Sequence, residues 1–334
     1  MPYTLIQAPP ARRRRHRRRW RPAVAALVLA VIVTLALAAR LGTPGPPQPA
    51  ASEPEPAPGP MLDSGTAPLA GGGTAPSPLA VQLDGGPDAV RMGFKKPPRS
   101  GLLFDLDTGE VLWRHRPERV LPIASLTKMM TALVVVDRLR SGTRVPITKE
   151  ALAYTGSGVG LFRRGRRIDV GVMLHGLLLP SGNDAAIALA QRAAGSVREF
   201  VALMNARARA MGLACTRFSS VSGIRDRGNH SCVPDLAAMA RAVLREARLA
   251  RIVRRRSAVL PFPIKGGKIY LYNNNPLLRA GYRGTTGVKT GYTEAAGRCL
   301  VASVRRGPRR LGVVLLDSPD PGRQATRLLD RAFS

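Results

Sequence analysis

The sequence predicts an α+β fold, with one antiparallel sheet built from both ends of a domain and a helical subdomain inserted between them. Strand-like segments occur near residues 102–113 and return after residue 285. Between them the apolar residues recur with helical spacing. Strands at both ends with helices between are typical of a single sheet formed by the two termini of the domain.

The folded domain is predicted to begin near Ser100 with a β-hairpin. Residues 102–106 and 110–113 form its strands, and the turn 107–109 reads Asp-Thr-Gly. A helix follows from Ser125 to about Leu139, because apolar residues recur at helical spacing along it.

Further helices are predicted in the middle of the domain. Residues 170–194 have a helical pattern that breaks at Pro180-Ser181-Gly182. Pro234 opens another helix that runs to about Ala247. After these helices we expect three strands and a last helix, at 285–290, 298–305, 311–317 and 320–333.

The first 99 residues are predicted to lie outside the folded domain. Residues 1–22 are an arginine-rich tail, which the positive-inside rule places in the cytoplasm. Residues 23–39 carry no charge and would extend about 26 Å as a helix, close to the roughly 30 Å of a hydrocarbon core, so they are interpreted as a transmembrane anchor. Residues 40–99 are rich in Pro, Gly and Ala and are interpreted as a disordered linker to an extracytoplasmic domain at 100–334. The alternative is a secreted protein, with a signal peptide cleaved near Ala36-Leu37-Ala38.

The strong positive charge raises the question of a nucleic-acid partner. The formal net charge is +31, and only seven of the 52 basic residues are lysines. Aromatic residues make up only 4%, which argues against a platform for stacking bases. The predicted export also argues against nucleic acid, so we expect none as a partner.

The cysteines and histidines do not form a metal-binding pattern. The chain has three cysteines without a C-x-x-C pair and four histidines without an H-E-x-x-H pair, so no metal is expected. Cys215 and Cys232 are predicted to form a disulfide in an exported domain. Cys299, among apolar neighbours, is predicted to be a small buried residue.

The first candidate catalytic motif is Ser125-Leu126-Thr127-Lys128. Residues three apart share one face of a helix, so Lys128 would sit beside Ser125 and accept its proton. The free backbone N–H groups of a first helical turn suit a developing oxyanion. Taken alone, the pair is also compatible with a capping serine and an exposed lysine.

Two further motifs follow in the chain. Ser181-Gly182-Asn183 comes after a long apolar run, and Lys289-Thr290-Gly291 lies on a predicted strand. Each has a plain structural explanation, the former as a helix cap and the latter as an edge strand. Together, however, S-x-x-K, S-x-N and K-T-G in this order are the signature of penicillin-binding proteins and class A β-lactamases.

The longer stretches around these motifs resemble the D-alanyl-D-alanine carboxypeptidase family, the low-molecular-mass penicillin-binding proteins. The resemblance covers about residues 100–334, through 122–131, 177–186 and 287–297. It implies the transpeptidase fold that penicillin-binding proteins share with β-lactamases. It also implies hydrolysis of peptidoglycan stem peptides, covalent inhibition by β-lactams, and no metal or cofactor.

The resemblance also implies roles for the motif residues. Ser125 would form the acyl-enzyme, Lys128 would be the general base, and Ser181 would relay a proton to the leaving D-alanine. Asn183 would hold the substrate amide. Lys289 and Thr290 would bind the terminal carboxylate, and the backbone N–H groups of Ser125 and Tyr292 would form the oxyanion hole. Gly291, between them in the third motif, is also counted among the substrate-binding residues.

The sequence leaves several alternatives open. A D,D-endopeptidase would use the same motifs. A β-lactamase would need a deacylating glutamate, and only Glu199 and Glu246 lie between the second and third motifs. A non-catalytic wall-binding module would use the basic surface. A basic loop, defined here as Arg163, Arg164, Arg166 and Arg167, is expected to attract anionic wall polymers.

Overall fold

A five-stranded antiparallel sheet lies at the centre of the fold, in the order β2-β1-β11-β10-β9. The computed structural model describes residues 77–224 and 227–334. Its strands are β1 (Ser100–Asp105), β2 (Val111–His115), β3 (Leu121–Pro122), β4 (Arg144–Pro146), β5 (Arg167–Asp169), β6 (His230–Ser231), β7 (Ser257–Pro261), β8 (Lys268–Tyr272), β9 (Thr285–Thr293), β10 (Gly297–Arg306) and β11 (Arg309–Leu316).

The helices fall mostly between β2 and β9. They are α1 (Lys128–Arg138), α2 (Lys149–Leu152), α3 (Val170–Leu178), α4 (Asn183–Ala194), α5 (Val197–Ala210), α6 (Val233–Arg245), α7 (Ala247–Val253), α8 (Pro276–Arg279) and α9 (Pro321–Phe333).

The sheet joins the two ends of the domain, as predicted. Strand β1 pairs with β11 from Ser100 opposite Leu316 to Asp105 opposite Leu311. Alternate residues of β11 face opposite sides of the sheet: Val313 packs with α9, whereas Val314 packs with the helical subdomain. Helices therefore cover both faces of the sheet.

Helix α1 is the central helix of the inserted subdomain. Its residues from Lys128 to Val135 are all buried, and α3, α4, α5 and α6 pack around it. A helix surrounded in this way holds its first turn in a fixed position relative to the neighbouring helices. The predicted helix from Ser125 is present, but its first residues, Ala124–Thr127, form a 3₁₀ turn.

The structure places the start of the packed region earlier than the sequence analysis did. An N-terminal strap, residues 77–99, was assigned to the disordered linker because of its Pro and Gly content, yet it packs along β2. Val90 is buried and Trp113 Nε1 donates to the Met92 carbonyl at 3.0 Å. Arg114 binds Asp88 through both its backbone and its side chain, at 2.9 and 2.7 Å.

The cysteine predictions are confirmed. Cys215 and Cys232 form a disulfide with a Cα–Cα distance of 5.8 Å, and Cys299 is buried in β10. Along 77–224 and 227–334, no helix combines the length and the apolar character needed to cross a bilayer. The arginine-rich tail, the predicted anchor at 23–39 and linker residues 40–76 lie outside the described residues.

Candidate active site

Ser125 sits in the strained 3₁₀ turn that precedes α1. Its neighbour Ala124 has a φ of 45°, a conformation that non-glycine residues seldom adopt. Two glycines allow other segments to touch this turn. A Cβ on Gly291 would lie 3.1 Å from the Ser125 nitrogen, and a Cβ on Gly223 would collide with the Ala124 carbonyl. The nucleophile candidate is therefore held between β9 and the 219–223 loop.

Lys128 is fully buried beside Ser125. Its Nζ lies 2.8 Å from Ser125 Oγ, 2.7 Å from Asn183 Oδ1 and 2.9 Å from the Ser222 carbonyl oxygen. Burial, and secondly the nearby charge of Lys289, hold the pKa of Lys128 well below its ordinary value, with Asp184 opposing the shift.

When the Lys128 amine is neutral, its three partners determine in which hydrogen bonds it donates and in which it accepts. A neutral amine has two N–H donors and one lone pair, and the oxygens of Asn183 and Ser222 can only accept. These two oxygens take the two N–H groups. The lone pair is then left for the third contact, in which the Ser125 hydroxyl donates to Nζ. This is the geometry of a base poised to deprotonate Ser125.

Ser181 and Asn183 stand at the start of α4. Ser181 has a φ of 70° and a buried Oγ that has no hydrogen-bond partner among the described residues. The Asn183 amide accepts from Lys128 and donates to the Thr155 carbonyl, so one N–H remains for a ligand. The next residue, Asp184, accepts from the Val159 and Gly160 backbone at 2.9–3.0 Å and thereby fixes the loop above the site.

Strand β9 brings the third motif to the same place. Lys289 is buried, donates to the Thr290 carbonyl at 2.8 Å, and has its pKa lowered to about 7 by burial. Thr290 and Gly291 line the cleft, and the Tyr292 side chain is 64% exposed at its edge. The structure therefore brings all eight sequence-predicted site residues into one region.

The three motifs border a single cleft of about 650 Å³. It is lined by Ser125, Gly156, Ser157, Ser181, Gly223, Ile224, Asn274, Thr290, Gly291, Tyr292, Thr293 and Glu294. The glutamates weighed for a β-lactamase, Glu199 and Glu246, do not line it. Within the described part of the chain, the only grouping with metal-ligand chemistry is Cys215, Cys232 and Asp235, where both sulfurs are in the disulfide.

A model of the D-alanyl-D-alanine carboxypeptidase family matches residues 96–320 of this chain. The chain belongs to the D-alanyl-D-alanine carboxypeptidase family. DacF of Bacillus subtilis, a D-alanyl-D-alanine carboxypeptidase, is 35% identical over 244 residues, which cover 71% of this chain. The match spans 62% of DacF, so this chain spans less than two thirds of that relative.

Solved structures of similar proteins confirm the expected fold. A Streptomyces DD-transpeptidase superposes with a TM-score of 0.68 at 29% identity, covering 73% of this chain and 99% of that chain. A D-alanyl-D-alanine carboxypeptidase from Mycobacterium tuberculosis gives 0.67 at 32% identity, covering 76% and 95%. The transpeptidase fold of penicillin-binding proteins is thus the fold of this family member.

Two contributors to the site were missed from sequence. The Ser222 carbonyl accepts from Lys128, and Asn274 lines the cleft while its side chain donates to the Pro180 carbonyl at 3.2 Å. A backbone carbonyl leaves no residue-type signal. The unusual run Asn273-Asn274-Asn275 was such a signal, because three consecutive amides indicate a loop rich in side-chain to backbone bonds.

Proposed function

We propose that this protein is a serine-type D-alanyl-D-alanine carboxypeptidase that removes the terminal D-alanine from peptidoglycan stem peptides. The observation that carries the proposal is the buried Lys128 amine, 2.8 Å from the Oγ of Ser125, which lines a cleft together with residues of the other two motifs. Membership of the family supports the same reaction.

In the acylation step, Lys128 accepts the Ser125 proton as Oγ attacks the carbonyl carbon of the scissile amide. A lowered pKa keeps a larger fraction of the amine neutral, which is the form that can accept this proton. The backbone N–H groups of Ser125 and Tyr292 stabilise the negative charge that develops on the carbonyl oxygen. The close approach permitted by Gly291 supports this pairing of N–H groups.

Departure of D-alanine requires a proton on its nitrogen. Ser181 is suited to deliver this proton from Lys128, because its buried hydroxyl has no competing partner among the described residues. When the C–N bond breaks, an ester to Ser125 remains. A water molecule, deprotonated by the same lysine, then hydrolyses the ester and regenerates the serine.

Substrate recognition is assigned to Thr290, which lines the cleft, and to the buried side chains of Asn183 and Lys289 from the same motifs. The free N–H of Asn183 holds the peptide amide, and Lys289 with Thr290 binds the terminal carboxylate. A charged lysine in a dry position attracts a carboxylate more strongly than one in water. β-Lactams, which present both an acyl group and a carboxylate, would acylate Ser125 in the same way.

We further propose that the enzyme acts outside the cytoplasm and is held to the membrane by residues 23–39. The rest of the preceding chain, 1–22 and 40–76, would serve as cytoplasmic tail and tether. The basic loop, whose four arginines are exposed, would attract anionic wall polymers and speed encounter with the wall. Protease added to intact spheroplasts should degrade the domain, and protection until lysis would contradict this topology.

Product analysis tests the proposed reaction. The full-length protein should release one D-alanine from a purified pentapeptide, and Ser125→Ala should release none. The DD-transpeptidase among the structural neighbours makes transfer to an amine acceptor a second candidate. Adding such an acceptor and, separately, a crosslinked dimer distinguishes the reactions. Predominant transfer product or cleaved dimer, with little free D-alanine from the pentapeptide, would overturn the carboxypeptidase assignment.

A further inference from the structure

A second cavity lies outside the catalytic cleft, between α3, α7 and the turn before β4. Its volume is about 210 Å³. Three arginines, Arg248, Arg251 and Arg255, line it together with His175 and Asp169. None of the residues assigned to catalysis is in this lining, so the cavity has no role in the proposed reaction.

The three arginines come from α7 and its continuation. Arg248 and Arg251, three residues apart, share one face of α7, and Arg255 follows two residues after the helix ends and lines the same cavity. Arg248 is held in place because its Nη1 donates to the Leu139 carbonyl at 2.9 Å. Among residues 77–224 and 227–334, none of the three guanidinium groups forms an ion pair. No direct ion pair with a described carboxylate therefore neutralises these three guanidinium groups.

His175 presents a second unfilled group in the same lining. Its Nδ1 lies 2.7 Å from the Gly171 carbonyl, which can only accept, so Nδ1 carries a proton. The other nitrogen, Nε2, is buried and has no hydrogen-bond partner in the described part of the chain. Burial lowers the pKa of His175. The hydrogen bond to the Gly171 carbonyl raises this pKa, and the positive charge of Arg255 lowers it further. An anion beside the ring would reverse this shift by favouring the protonated form.

The carboxylate in the lining does not fill the site. Asp169 Oδ1 accepts from the Gly171 nitrogen at 2.7 Å and caps α3. Three guanidinium groups line the cavity with this one carboxylate, so the net charge of the lining is positive. Since guanidinium groups match the oxygens of phosphate with paired hydrogen bonds, the charge and geometry favour a phosphate-type ligand.

The surroundings of the cavity favour a charged polymer over a membrane. Residues 247–256, which supply the three lining arginines, contain five basic residues and no acidic residue. The basic loop continues into β5, which ends at Asp169, and its arginines are exposed. The apolar residues that line the cavity, Leu174 and Ile252, are buried and cannot insert into a bilayer. A chain of repeated anionic groups could follow this surface from the basic loop into the cavity.

We propose that this cavity binds a phosphate group of a phosphodiester-linked polymer through Arg248, Arg251 and Arg255. This site would hold the enzyme on a polyanion while the cleft remains free. The inference does not depend on the proposed carboxypeptidase activity.

A charge-matched pair of variants tests the site in the full-length protein. Arg251→Gln/Arg255→Gln removes two arginines that line the cavity, whereas Arg254→Gln/Arg256→Gln removes two that do not; all four are exposed, so the two variants differ only in this respect. The dissociation constant for a poly(glycerol phosphate) of defined length would be measured at fixed salt. The first variant should raise it about tenfold or more, because charge-assisted hydrogen bonds are lost. The second should raise it by less than about twofold, since only screened surface charge changes.

Further arms identify the ligand class. Equal losses in the two variants would show that only net charge matters and would overturn the site. Polyglutamate binding as tightly as poly(glycerol phosphate) would overturn the preference for phosphate. Vesicles of phosphatidylglycerol binding more tightly than the polymer, with the same dependence on Arg251 and Arg255, would reassign the site to lipid headgroups.

The protonation of the His175 ring, followed by NMR, tests the site without any polymer. In an NMR titration, inorganic phosphate should raise the pH midpoint of the His175 ring in the wild-type protein. It should not do so in Arg251→Gln/Arg255→Gln. An unchanged midpoint in the wild-type protein at saturating phosphate would place the anion elsewhere and contradict the proposal.

Discussion

Replacing Lys128 with methionine is expected to abolish acylation of Ser125 while the domain stays folded. Methionine is unbranched, fits the fully buried space of the lysine stem, and has no basic nitrogen. Because Lys128 contacts both Ser125 and Asn183, this change removes the proposed base and little else of the site.

The effect on stability follows from the contacts of the amine. Without Nζ, the oxygens of Asn183 and Ser222 lose a donor, at about 1–3 kcal/mol each when they stay unpartnered. In the opposite direction, removing a buried ionisable group relieves a desolvation penalty of several kcal/mol. The two contributions are of similar size, so we expect a small change in the free energy of unfolding.

The effect on catalysis should be far larger. Loss of a positioned general base lowers a rate by about 10²–10⁴-fold, or roughly 3–5 kcal/mol in the activation free energy. The assay is the second-order rate of acylation by a fluorescent penicillin, after melting temperatures have been compared. Lys128→Arg is the second variant, because it keeps a long nitrogen-bearing side chain at this position, whereas its guanidinium stays protonated and cannot accept a proton.

Two controls complete this experiment. Ser125→Ala sets the background of the label, and Lys149→Met removes an exposed lysine that does not line the cleft. If a folded Lys128→Met or Lys128→Arg protein acylates within about threefold of the wild-type rate, Lys128 is not the base and the mechanism is wrong.

Three further predictions concern pH, chain length and the disulfide. With its pKa near 7, Lys289 is charged below that pH and neutral above it, so kcat/KM for a peptide with a free carboxylate should fall as the pH rises past about 7. Lys289→Arg should lose this decline, and persistence of the decline would assign it to another group. A chain starting at Ser77 should have a higher melting temperature than one starting at Ser100, because burial of the Val90 side chain in the N-terminal strap stabilises the fold by about 1.5–3 kcal/mol. Equal melting temperatures would show that the strap does not stabilise the domain. Replacing Cys215 and Cys232 together with alanine should lower the free energy of unfolding by about 3 kcal/mol in the chain-entropy model, as measured by denaturant titration, and an unchanged midpoint would contradict this.

Much of the architecture could be predicted because the relevant signals are local. The break at 180–182 between two helices and the hairpin at the start of the domain depend on neighbouring residues. The single sheet followed from strands at both ends of the domain, although the specific pairing of β1 with β11 was not predicted. The β7–β8 hairpin was missed, although Ile269 and Leu271 alternate with exposed Tyr270 and Tyr272 in the period of a half-buried strand.

The motifs predicted which side chains form the candidate site, but not the contacts that these side chains make with one another and with the backbone. The motifs named the side chains, but the amine of Lys128 also depends on the Ser222 carbonyl, 94 residues away in the chain. Backbone oxygens carry no sequence signal, and their position depends on how the loops close. The N-terminal strap was misassigned for a related reason. Its Pro- and Gly-rich composition is typical of linkers, whereas the contacts that fix it come from Trp113 and Arg114 of β2.

The proposed mechanism requires Ser125 to form the covalent acyl-enzyme. Mass spectrometry of peptides from the penicillin-treated full-length protein can locate that bond. We expect one penicilloyl group, on the peptide that contains Ser125, and fragmentation that places it on that hydroxyl. A stable adduct on another residue, or undiminished specific labelling of Ser125→Ala, would contradict it.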